Sequence, residues 1–297
     1  MMTEKELGFL LLTSRFGNPE RKVLTTAQLR ILSQRMHTLS APSEDRDLEE
    51  SDLVALGYGR DMAQRILSLL EEGELLAHYL RRGERLGCVP ISRVSPMYPA
   101  TLKIKLGVEA PGCFWAKGDL SLLDTPMVAL VGSRDINPEN QGFAEEVGRQ
   151  AALQGYTLVS GNARGADRIA QKACLKAGGR VISIVADSLA EKTLQNRVLY
   201  LSEDDFDEEF SAQRALSRNR LIHCLGEKVF VAQSNLEKGG TWDGTVKNLR
   251  YGWSSVFCCY DGSDAMIALS QMGATLIRRE ELADISGLMP VILNLFQ

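Results

Sequence analysis

Residues 127–187 read MVALVGSRDINPENQGFAEEVGRQAALQGYTLVSGNARGADRIAQKACLKAGGRVISIVAD, and this stretch decides the fold. MVALVGS, TLVSG and RVISIVA are short, continuously apolar runs. Such runs are strands buried on both faces. Between them lie two helical stretches, one from Pro138 and one from Ala166. Strand–helix alternation means right-handed crossovers and a parallel sheet. The fold class is therefore α/β, a Rossmann-like doubly wound, mainly parallel sheet.

The alternation continues towards the C-terminus. RALSRNRLIHCLG reads as helix, KVFVAQ as strand, and a helix follows near Thr241. SSVFCCY, DAMIALSQMG and ATLI then give strand, helix and strand. Towards the N-terminus the pattern changes. Residues 87–126 hold Pro90, Pro96, Pro99 and Pro111, and read as an extended connector that can add an edge strand. Residues 1–86 read as a small all-helical domain. Leu7, Leu10 and Leu11, then Leu53, Leu56, Ile66, Leu69 and Leu70, recur at helical spacing. SAPSEDRDLEESD (40–52) reads as a polar loop and helix start, and LGYGRDMAQRILSLL as a glycine turn before a packing helix. The expected division is 1–86 helical and 87–297 connector plus Rossmann-like domain.

Composition excludes several functions. The chain has 297 residues, 34 Lys+Arg against 38 Asp+Glu, and a net charge of −4. Coating nucleic acid by bulk charge is excluded, although a local basic groove is not. No apolar run has the roughly 20 residues that a membrane helix needs. Six cysteines without a CxxC pair, two of them adjacent, and three scattered histidines suggest neither a disulfide framework nor a metal site. The chain reads as cytoplasmic, with no cofactor and no membrane partner. GxGxxG and GxxxxGK[ST] are both absent, which argues against dinucleotide binding and Walker-type hydrolysis.

In such a sheet, ligands bind beyond the carboxyl ends of the strands. Three loops lie there. The first is Gly132, Ser133 and Arg134, where glycine permits close approach and arginine offers a forked cation. The second holds Ser160, Gly161, Arg164 and Gly165. The third holds Lys238, Gly239, Gly240 and Thr241. Glycines at helix starts expose backbone N–H groups that suit phosphate, so the three loops together point to an anion pocket. A fourth element is the cluster Arg214, Arg218, Asn219 and Arg220. It fits contact with nucleic-acid backbone. It equally fits a helix face paired with the acidic run Glu203, Asp204, Asp205, Asp207, Glu208 and Glu209. His223 reads as an interior histidine and Asp167 as a cap. Trp242 either stacks on a base or packs.

These motifs, in this order, resemble the DNA-processing protein A (DprA/Smf) family. Tyr98-Pro99 with Leu102, and FWAKG at 114–118, match its lead-in. VGSR at 131–134, SGNARGAD at 160–167, Ser202-Glu203, RNR at 218–220 and KGGT at 238–241 follow. The resemblance covers about residues 90–275. It implies single-stranded DNA binding by a homodimer, without catalysis, and the loading of a RecA-type recombinase in recombination or DNA uptake; as a divergent member, the chain has a role in phage defence or toxin regulation as the alternative. It carries DNA contact to Arg134, Arg218 and Arg220. The wider superfamily offers another reading, a nucleotide sensor or a LOG-type nucleoside-phosphate hydrolase. That branch has PGGxGTxxE with a catalytic glutamate. KGGTWDGTVKN has no glutamate at that spacing.

Overall fold

The computed structural model describes residues 2–36 and 47–291. Of the loop and helix start expected at 40–52, residues 40–46 lie outside the described residues, and a helix does start at Glu50. Five helices come first: α1 (Glu4–Thr13), α2 (Thr26–Met36), α3 (Glu50–Ala55), α4 (Arg60–Leu70) and α5 (Gly73–Arg85). Thr3 starts α1 through a capping box with Glu6, which satisfies free N–H groups of the first turn. The stretch between α3 and α4 is a packing turn. Leu56, Tyr58 and Met62 lean on a small core of Leu12, Leu24, Leu32, Leu53, Ala63, Ile66 and Leu69.

The connector is more ordered than its prolines suggest. It forms β1 (Val89–Ser92), α6 (Ala100–Leu106) and β2 (Cys113–Gly118). The alternating part follows: β3 (Met127–Val131), α7 (Pro138–Leu153), β4 (Thr157–Gly161), α8 (Ala166–Lys176), β5 (Arg180–Ile184) and β6 (Val198–Ser202). After it come α9 (Ala212–Ser217), α10 (Asn219–Leu225), β7 (Lys228–Val231), α11 (Gly239–Tyr251), β8 (Ser255–Cys259), α12 (Asp264–Gln271) and β9 (Thr275–Ile277).

One nine-stranded sheet results, in the order β1-β2-β6-β5-β4-β3-β7-β8-β9. Strands β6 to β9 in that order pair in parallel, and β2 runs antiparallel to both its neighbours. The Rossmann-like α/β fold and the helical N-terminal segment are as the sequence led us to expect. β6 is an addition. Its sequence VLYLS directly precedes the acidic run, and it sits inside the sheet with all five residues buried.

Side chains alternate across the sheet. Val128 and Leu130 face α7 and α8, with Phe143, Val147 and Ala170 in one core. Ala129 and Val131 face α6, α10 and α12, with Leu102, Leu221 and Met266 in another. Leu10, Leu11 and Tyr79 of the N-terminal helices join the first core beside Trp115 and Phe206. The chain order reverses direction at β3, which lies between β4 and β7. A reversal of this kind leaves a crevice beyond the strand ends. Among the described residues, no helix is long and apolar enough to cross a membrane.

Candidate functional site

The turn after β3 is built to meet the turn after β4. A Cβ on Gly132 would stand 2.5 Å from the Ala166 Cβ. Gly165 has φ +84°, a conformation that suits glycine. The Ala166 N–H donates to the Ser133 carbonyl at 3.2 Å. The Ser133 N–H in turn donates to the Gln233 carbonyl at 2.9 Å, which ties the β7 loop to the β3 loop.

A cleft of about 260 Å³ opens there. Arg134, Asn162, Arg164, Asp187, Phe210 and Arg218 line it. Arg134 is exposed, and it makes no hydrogen bond or ion pair among the described residues. Arg164 is exposed too, paired with Asp135 at 2.6 Å. A pair so open to water holds weakly. Ser160 and Gly161 are buried at the end of β4, directly before Asn162, and do not themselves line the cleft.

Arg218 is the buried cation of the cleft. It stands 4.0 Å from Asp167, and both side chains are 8% exposed. It donates to the Ile184 carbonyl. Its Nε has no partner within the protein. Burial pushes the Asp167 carboxyl above its ordinary range, and Arg218 pulls the other way. Asp167 does not cap α8, since Gly165 occupies that position. Asp167 instead receives the Ala163 N–H at 3.3 Å.

The structure divides the arginine cluster. Arg214 is spent on Asp204 (2.6 Å), Ser202 Oγ (3.1 Å) and the carbonyls of Ala186, Glu208 and Glu209. Arg220 points elsewhere, to Glu203 and the Glu109 carbonyl. Pairing with the acidic run thus describes Arg214 and Arg220, while Arg218 faces the cleft. A larger cavity of about 770 Å³ lies on the other side of that run, lined by both paired arginines and by acids. It is not where the strand-end loops meet.

The third loop stands apart from the cleft. Lys238 is exposed at the start of α11. Asn219 reaches across from α10, its Nδ2 donating to the Gly240 carbonyl at 3.0 Å. Thr241 accepts from Thr245 at 2.7 Å through its carbonyl. Trp242 packs partly buried against the second core.

His223 is fully buried, with Nδ1 3.1 Å from the Asn248 amide. Phe210 was missed from sequence. It is 57% exposed at the rim of the cleft. The one signal was a large apolar residue ending an acidic run.

Comparison with known proteins identifies the family. A model of the DNA recombination-mediator protein A family matches residues 90–252. The DNA processing protein DprA of Bacillus subtilis is 30% identical over 221 residues, covering 68% of this chain and 71% of that protein. That of Streptococcus pneumoniae is 32% identical over 182 residues, covering 57% and 64%. The X-ray structure of the Streptococcus pneumoniae protein shares the fold with a TM-score of 0.72 at 24% identity, over 97% of this chain and 99% of that one. A DprA structure from Helicobacter pylori, described for its single-stranded DNA binding mode, has a TM-score of 0.55 at 25% identity, over 66% and 94%. The chain belongs to the DNA recombination-mediator protein A (DprA/Smf) family.

Proposed function

We propose that this protein binds single-stranded DNA in the cleft beyond β3 and β4, without catalysis, and passes the strand to a RecA-type recombinase. One observation carries the reading. Arg134 is exposed and unpaired beside the buried Arg218, at the meeting point of two glycine turns. Such a site offers charge to a phosphate and glycine backbone that a ligand can approach closely. Phe210 at the rim offers a face on which a base can stack, which every base can do regardless of sequence. The single-strand binding described for the Helicobacter pylori relative supports the same reading. The chain acts as a homodimer in this proposal, giving two clefts to one strand.

Asp187, the acid lining the cleft, is ion-paired to Lys192. Nothing in the cleft favours the hydrolase reading over strand binding.

Salt-series anisotropy on single- and double-stranded oligonucleotides tests the proposal. Affinity should fall steeply with salt, because each phosphate neutralised releases counterions. Arg134→Ala should weaken binding about tenfold, as removal of one cleft cation would. Unchanged binding in that variant, or release of free base from nucleoside monophosphates, would overturn the assignment.

A further inference from the structure

The residue that closes the cleft on one side begins a ridge that leads away from it. Arg164, Arg168, Lys172 and Lys176 follow one another at four-residue intervals. All four are exposed. Arg164 lines the cleft. The other three lie on α8, whose first residue is Ala166. Arg168, Lys172 and Lys176 make no hydrogen bond or ion pair among the described residues. The single acid of α8, Asp167, is buried beneath the cleft. The opposite side of the helix is apolar, with Ala166, Ala170 and Cys174 in the core. An ordinary solvated helix face mixes both signs, and that of α8 has only one.

We infer that this ridge is a track for the phosphodiester backbone of a single strand leaving the cleft. The inference rests on the cleft reading above and extends it. Four residues of helix rise about 6 Å, so the three helical cations span about 12 Å, and Arg164, two residues before the helix begins, lines the cleft. A row of cations of one sign at regular intervals matches a chain of evenly spaced phosphates. Backbone contacts of this kind fix position and add affinity without reading sequence. The ridge therefore gives length dependence, and the cleft gives grip on the first nucleotides.

The test compares oligothymidylates of about 6 and about 20 nucleotides, which bracket the roughly 4–16-nucleotide footprints of single-strand binders. The triple variant Arg168→Gln, Lys172→Gln, Lys176→Gln changes only exposed side chains, and a thermal melt checks that it folds. Its affinity for the long strand should drop about tenfold, and its salt slope should fall by about 2, at roughly 0.7 for each phosphate no longer neutralised. The short strand should bind as before. Unchanged long-strand affinity and slope would overturn the ridge, provided Arg134→Ala still weakens both lengths. An equal weakening on both lengths would also overturn it, since that is general attraction and not a track. If Arg134→Ala changes neither length, the cleft reading fails and the ridge falls with it.

Discussion

At the scale of single residues, burial decides what each charged group can do. Arg134 and Arg218 stand in one cleft with opposite burdens. Arg134 is open to solvent and any ligand, while Arg218 is clamped beside Asp167. His223 shows the same principle in the core. Burial pushes its imidazole down to about 3 from 6.5, so it is neutral in the folded protein. The unfolded chain takes up that proton more readily. Its contribution to stability is therefore complete above pH 6.5 and is lost as pH falls from 6.5 towards about 3. The slope is about 1.4 kcal/mol per pH unit for one proton. Urea unfolding across that range should be shallower by this amount in His223→Gln. Asp167 and Asp205, whose carboxyls burial pushes up, act in the opposite sense, but they are present in both proteins. Equal slopes would show that His223 is not the titrating group.

At the scale of elements, the acidic run 203–209 is a fastener. Glu203 and Asp204 hold Arg220 and Arg214, on either side of Arg218. Asp205 turns the other way, accepting from Ser14 Oγ at 2.7 Å, the Gly17 N–H at 3.0 Å and Trp115 Nε1 at 3.2 Å. Asp207 receives the Tyr79 hydroxyl at 2.6 Å and Arg82 at 2.7 Å. The run thus links the N-terminal helices to the helix that presents Arg218. Three of its six acids, Glu203, Asp204 and Asp207, are each paired with an arginine. Asp205→Ala would orphan three donors, two of them on buried residues, and should cost about 3 kcal/mol or more. Asp204→Ala, whose side chain is 46% exposed, should cost well under half of that. Thermal melts of the two variants decide the matter. Comparable destabilisation would mean that the acidic run does not fasten through Asp205.

At the scale of the whole molecule, the question is whether residues 1–86 form a unit of their own. They have a small core around Leu53, Ile66 and Leu69. They also lend Leu10, Leu11 and Tyr79 to the core under the sheet, where Tyr79 stacks on Phe206 at 4.6 Å. A core shared between two parts makes them unfold together. Calorimetry should show one transition. Leu53→Ala should lower it as a whole, at a cost of about 2–5 kcal/mol for an emptied core site. Two transitions, with only one moved by Leu53→Ala, would instead establish an independent helical domain.

The strand–helix alternation, the glycine turns at the strand ends and the ordered family motifs were legible in the chain alone. All of these are local. A strand buried on both faces must be continuously apolar, and a turn that meets a helix start must have glycine, wherever the rest of the chain goes. The ordered motifs added what no periodicity could, the kinship with recombination mediators. Which cations are free emerges from packing. Arg214, Arg218 and Arg220 lie within seven residues and look alike in sequence. Their partners come from Asp204, Asp167 and Glu203, and pairing depends on distance in space. The same holds for β6, whose place inside the sheet was set by β2 and β5, and for Phe210, brought to the cleft rim by the fold of the acidic run. Charge and apolarity are written in the chain, but exposure and pairing are properties of the packed molecule.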